Sequence, residues 1–411
     1  MNTLQPRVMP VIRLRVASAA LAITVALGFG VIANPATQAQ TFSNLYSFTG
    51  GTDGDGPTGA PALDGHGNLY GSAAYSQNGT GKGTVWKLGS GKLTVLHSFG
   101  ATGDGAIPSG VMRDAEGTLY GATVAGGYGD GTIFKVSKTG KEAVLYRFTG
   151  SPDGNQPGAG LLRDEAGDLY GTTFVGGSSG AGTVFKLSKA GKETVLYSFM
   201  GPPDGEEAGW GTLVRDAKGS LYGVTYWGGK CAYTDRGCGT VFRLSPNSKG
   251  GWKETVLYRF KYAGGDGGFP DSSLLLDANG NLYGTTQWGG NTGCSGLGCG
   301  TVFKLDKNGK ETVLYRFTGG GDGESPIGDL IQDATSNLYG TASLGANSAC
   351  QFGCGTVFKL DANGELTVLH AFNGRDGSEP EALTRDSTGN FYGITAEGGD
   401  YGAGTVFKIA P

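Results

Sequence analysis

The chain reads as an all-β, seven-bladed β-propeller of four-stranded antiparallel blades, and three observations lead there. The two halves of a two-strand text, GTVFKLSKAGKETVLYSF at Gly182–Phe199, each recur seven times with small changes. A third signature, Leu or Phe followed by Tyr and Gly, is centred on Tyr70, Tyr120, Tyr170, Tyr222, Tyr283, Tyr339 and Tyr392, in steps of 50 to 61 residues. Period-two alternation puts Thr183, Phe185 and Leu187 on one face and Val184 and Lys186 on the other, so apolar groups stand on both faces and each sheet must be covered twice. A period near 50 residues with such sheets fits a ring in which every blade packs between two others. A superhelical solenoid is the alternative.

Taken in order, residues 1–39 stand apart. Arg7, Arg13 and Arg15 precede an uncharged run from Val16 to Ile32, followed by Ala-, Thr- and Gln-rich sequence ending at Ala39. This is the layout of a secretory signal peptide, and 41–411 is then expected to be one propeller built of seven repeats. A retained membrane anchor is the alternative, and no other stretch approaches membrane-spanning length. From Thr41 comes TFSNLYSF, a strand with no GTVFKL before it. Each unit then holds an Asp-Gly- and Pro-rich crossing, a short apolar strand ending in Asp (GLLRD), a tight turn (EAG), the tyrosine strand (LYGTT), a variable loop and the GTVFKL and TVLYSF strands. Glycine late in a three-residue turn between apolar strands is a hairpin signal. The glycine after each tyrosine, such as Gly71 or Gly171, is expected near the axis, where backbones crowd. With GLLRD innermost, the last unit supplies only three strands and ends at Lys408–Ile409. The orphan Leu45–Phe48 is expected to complete it from outside.

Composition narrows function. Eighty glycines in 411 residues would fit a low-complexity chain, but 10% aromatic residues and the apolar hexads supply what a packed fold needs. Removing the three arginines of 1–39 takes the formal charge from −4 to −7, which argues against nucleic acid or an anionic membrane as partner.

The recurrent reactive groups are carboxylates. Asp64, Asp114, Asp164, Asp216, Asp277, Asp333 and Asp386 end the first strand of each unit and are expected to cap the following turn. Asp55, Asp104, Asp153, Asp204, Asp266, Asp322 and Asp376 precede Gly in the crossings, again as turn residues, with Asp53 and Asp55 in DGDG the calcium candidate. No cofactor and no catalytic residue is assigned. His97 and His370 replace the tyrosine of the VLYSF strand and His66 sits in a turn, all three with packing or surface roles. Lys87, Lys135, Lys186, Arg243, Lys304, Lys359 and Lys408 recur in GTVFKL, either pairing with one Asp series or snorkelling at the blade edge. Six cysteines allow fifteen pairings, yet their equivalent placement before the GT pair favours three local disulfides, Cys231–Cys238, Cys294–Cys299 and Cys350–Cys354.

LYGTT, the Gly pair, GTVFKL, TVLYSF and the Asp-Gly loop together resemble the GloVer tandem repeat of secreted bacterial "choice-of-anchor" proteins. The resemblance implies an exported, propeller-like protein and brings no assigned reaction. Without a sorting tail before Ala410–Pro411, a soluble, monomeric form is expected, secreted or periplasmic. The function expected is a non-catalytic binding or scaffold protein contacting glycans or surface proteins; the alternative is a carbohydrate-active hydrolase or lyase using loop carboxylates. The second rim, with the crossings and the variable loops, carries the length variation and is the expected working surface. Tyr226, Trp227, Trp288 and Trp210, with Asp204 and Asp266, are the ligand-binding candidates there, and Tyr75 and Phe174 stand near the matching places.

Overall fold

The computed structural model describes residues 40–411 apart from 78, 80 and 159; the expected signal peptide lies outside the described residues. Seven four-stranded antiparallel blades are present. Blade 1 spans 55–98, blade 2 105–147, blade 3 155–198, blade 4 205–259, blade 5 267–316, blade 6 324–371, and blade 7 378–410 together with Thr41–Ser47. The orphan strand closes the ring as its sequence position required: Thr41–Ser47 runs antiparallel to Thr405–Ala410 as the outer strand of blade 7, Phe42 opposite Ile409 and Ser47 opposite Thr405.

Two sevenfold devices hold neighbouring blades together. The aromatic ending each outer strand packs edge-on against the aromatic of the next blade's GTVFKL strand: Phe148 on Phe185, Phe199 on Phe242, Phe260 on Phe303 and so on, closing with Phe48 on Trp86. Edge-to-face rings with centroids about 5 Å apart add to the free energy of burial. The second device is a residue held at positive φ near the start of each inner strand, at Gly56, Ile107, Gln156, Glu207, Phe269, Ser325 and Glu379. Its amide donates to the carbonyl preceding the GT pair of the previous blade, at 2.8–3.3 Å. The amides of blades 4 to 6 reach the carbonyls of Ala181, Cys238 and Cys299 in blades 3 to 5.

The glycine after each tyrosine has a different cause from the one expected. It faces the aromatic of the adjacent GTVFKL strand, Gly171 opposite Phe185 and Gly284 opposite Phe303. A Cβ at Gly71 would stand 2.2 Å from the Trp86 ring, and one at Gly284 2.7 Å from Phe303. The missing side chain makes room for a ring, not for the axis.

The inner strands are the irregular ones. They are continuous in blades 1, 2 and 7, each with a register shift, and broken in blades 3, 4 and 5, as between Gly267–Gly268 and Leu275–Leu276. Bulges and breaks re-aim backbone and side chains beside sites, and here they surround the axis.

Candidate functional site: the axial cavity

Seven inner strands enclose a cavity of about 410 Å³, to which every blade contributes. Its size falls within the range of small-molecule pockets. Most of the wall is glycine, small or apolar, but three carboxylates project from adjacent blades: Asp271 of blade 5, Asp329 of blade 6 and Glu381 of blade 7. None belongs to either sevenfold Asp series, and no Lys, Arg or His lines the cavity among the described residues.

Their environments differ. Glu381 Oε2 accepts from the Gly59 amide of blade 1 at 2.6 Å, across the ring closure. Asp329 Oδ1 accepts from the Ser273 amide at 2.7 Å, and Ser273 Oγ in turn accepts from the Thr212 amide at 2.9 Å. Asp271 has no hydrogen-bond donor among the described residues. Burial, reinforced by the charges of Glu381 and Asp329, pushes its carboxyl well above the ordinary range. Burial likewise raises Asp329 and lifts Glu381 to about 7, the amide of Gly59 opposing the shift. Burial therefore biases Asp271 toward its protonated form, in which it donates as well as accepts.

An aromatic wall completes the cavity. Trp210 and Phe174 line it, in edge contact at 4.6 Å, and Trp210 keeps 48% of its surface exposed. Tyr226 stands behind, 6.1 Å from Trp210 by ring centroid, its hydroxyl donating to Gln287.

A family model, the Gloeobacter/Verrucomicrobia repeat, matches residues 24–166 and 128–350. The chain belongs to the Gloeobacter/Verrucomicrobia repeat family. No curated protein matches this family member. Among solved structures, its fold is similar to the extracellular domain of BT4673 from B. thetaiotaomicron, at 12% identity and a TM-score of 0.54, over 90% of this chain and 40% of that one. A gluconolactonase from Xanthomonas campestris aligns at 15% identity with a TM-score of 0.43, over 90% of this chain and 89% of that one.

The residues singled out in the sequence of this repeat protein divide sharply. Trp210 lines the cavity. Trp227 and Trp288 instead head short ribbons, Trp227–Gly228 on Gly205–Glu206 and Trp288–Gly289 on Gly267–Gly268, and pack half-buried against the blade 4–5 core. Trp227 meets Phe269 at 5.0 Å, and Arg236 lies over its ring. Asp204 and Asp266 are buried turn residues: Asp204 accepts from the Tyr197 hydroxyl and Met200 amide, Asp266 from the Tyr258 hydroxyl and the Lys261 and Gly267 amides. In the first crossing the equivalent place belongs to Asp53, not Asp55. Asp53 accepts from Tyr46 and Thr49, while Asp55 opens the inner strand.

The strand-ending Asp series caps its turns as expected: Asp64 takes the His66 and Asn68 amides, and Tyr70 donates to its other oxygen. The GTVFKL cations meet rings more than acids. Lys87, Lys186, Lys304 and Lys408 lie over the tyrosine of the adjacent strand. Among the described residues, the ion pair from this set is Lys186 with Asp168, which is in neither Asp series. All three local disulfides are present as paired from the sequence.

Proposed function

We propose that the protein is a non-catalytic binding protein that receives a hydroxyl-rich ligand, such as a saccharide end, in its axial cavity. The observation that carries this is Asp271, an acid with no hydrogen-bond donor among the described residues, in a cavity that an exposed tryptophan also lines. A protonated carboxyl both donates to and accepts from a hydroxyl, and the Trp210 ring offers a flat apolar surface for a sugar face. The neighbouring Asp329 and Glu381 add acceptors on the same side.

An exported setting fits this reading. Three disulfides favour an oxidising compartment, residues 1–39 have the layout of a signal peptide, and no helix among the described residues is long and apolar enough to cross a membrane. Glycans or surface proteins are then the partners the cavity would meet.

A glycan array on the chain from Gln40 onward, followed by calorimetry, tests it. Asp271→Ala and Trp210→Ala should each weaken binding tenfold or more while leaving the thermal midpoint within about 2 °C, whereas Trp227→Ala should act on stability. A ligand that instead binds tighter as pH rises, with proton release, would replace the saccharide with a cation. Turnover of a glycoside that Glu381→Gln abolishes would turn the reading to the hydrolase, since a carboxyl near 7 is placed to act as a general acid.

A further inference from the structure

Far from the axis, the outer edges of neighbouring blades meet in a recurring arrangement. A tyrosine near the end of one outer strand donates to the crossing Asp, and a glutamate early in the next blade's outer strand stands beside that Asp. Blades 2 and 3 meet through Tyr146, Asp153 and Glu193, blades 3 and 4 through Tyr197, Asp204 and Glu254, and blades 4 and 5 through Tyr258, Asp266 and Glu311. One Oε1 of each glutamate is buried without a hydrogen bond.

Two junctions carry histidine in place of tyrosine. Between blades 6 and 7, His370 meets Asp376 at 2.9 Å, but the glutamate place is taken by Phe42, which stacks on the imidazole at 3.7 Å. Between blades 1 and 2 both features coincide. His97, Asp104 and Glu142 each offer a ligand atom, and these atoms all lie within 4.8 Å of one another. His97 Nε2 stands 3.2 Å from Asp104 Oδ2, and Glu142 Oε1 is buried with no donor. Arg147, the nearby cation, is directed to the carbonyl of Gly103 at 2.9 Å.

We propose that the junction of blades 1 and 2 binds a divalent transition ion of the zinc class through His97, Asp104 and Glu142. The donor set is one imidazole nitrogen and two carboxylates, which zinc accepts at roughly 2.0–2.2 Å. Two ligands at that distance and a tetrahedral angle lie about 3.3 Å apart, close to the spacing of His97 and Asp104. Asp104 Oδ1 accepts from the Gly105 amide at 2.8 Å and Oδ2 from the Gly100 amide at 3.2 Å, which fixes the carboxylate and leaves one lone pair of Oδ2 for the ion. Three protein ligands leave a fourth position for water. The imidazole decides the matter: the three tyrosine junctions that carry the glutamate present the same orphan oxygen without a nitrogen ligand, and the His370 junction lacks the glutamate.

The repeat supplies its own control substitutions. His97→Tyr restores the commoner junction, and Glu142→Leu copies Leu93 and Leu366, which occupy that register in blades 1 and 6. Calorimetry and elemental analysis with zinc alone should give one ion per chain for the wild type and for His370→Tyr. His97→Tyr and Glu142→Leu should each lose that ion while keeping the wild-type circular dichroism spectrum. Zinc should also raise the thermal midpoint of the wild type and leave that of His97→Tyr unmoved. If either variant fails to fold, His97→Gln takes its place in the same comparison. No zinc on the wild type, retention by His97→Tyr, or loss in His370→Tyr would each overturn the proposal.

Discussion

Gly284 shows how much a single absent atom decides. With the Phe303 ring lying across its backbone and Leu274 close behind, a methyl group has nowhere to go without moving a ring that also packs on Phe260 of the previous blade. Overpacking of this kind costs about 1–3 kcal/mol, so Gly284→Ala should lose that much in urea unfolding, and Gly284→Ala with Phe303→Leu should recover part of it. A variant as stable as the wild type would show that the ring has room to shift. The sequence made the crowding legible, because only a persistent constraint puts glycine after tyrosine seven times. It did not show the crowding group, since the strand register that sets Phe303 opposite Gly284 is a property of the pairing. The same blindness affected Trp227 and Trp288. A tryptophan before a glycine pair reads alike whether it faces solvent or covers a neighbouring ribbon.

At the scale of the element, the outer-edge glutamates make blade contacts sensitive to pH. Burial, with the adjacent crossing Asp, raises Glu193, Glu254 and Glu311 from an ordinary 4.5 to about 7. Between those values the folded chain holds protons that the unfolded chain has released. Stability from these groups is therefore full at the acid end, falls as pH rises from 4.5 to 7, and is level above. These side chains are partly buried, and after allowing for solvent screening each contributes about 1 kcal/mol to the slope. Thermal midpoints at pH 5 and pH 8 should differ accordingly, and the triple variant E193Q/E254Q/E311Q should lose most of the difference; an unchanged slope would refute the assignment. Repetition made these elements readable from sequence, and it also drew attention away from the cavity. Asp271, Asp329 and Glu381 follow the inner-strand proline tract, in stretches where blades 1, 2 and 3 carry Thr58, Ser109 and Gly158. Acids that break a repeat were the available signal, but their convergence depends on ring closure, which brings blades 5, 6 and 7 to one side of the axis.

For the whole molecule, the clasp is the feature on which the ring depends. Removing residues 41–48 would uncover the edge of Thr405–Ala410 and strip Phe48 from Trp86, leaving one unpaired strand edge and one open core. This truncation should unfold at a markedly lower temperature or associate through the bared edge, and adding the peptide TFSNLYSF should restore part of the loss. A truncated chain with the wild-type midpoint would mean that the blade-to-blade packing alone holds the circle.

The clasp also imposes an order of events. A chain made or threaded across a membrane from its N-terminus releases Thr41–Ser47 first, yet the partner of that strand, Thr405–Ala410, comes last. The earliest strand must therefore wait, unpaired, for nearly the whole length of the polypeptide, and no intermediate of fewer than seven blades can complete its ring. Closing so long a loop is slow, and until it happens the nascent protein carries a sticky end at each terminus. Moving TFSNLYSF to follow Pro411 through a short glycine-rich linker would let the seventh blade finish itself as it emerges, turning the final search into a local hairpin.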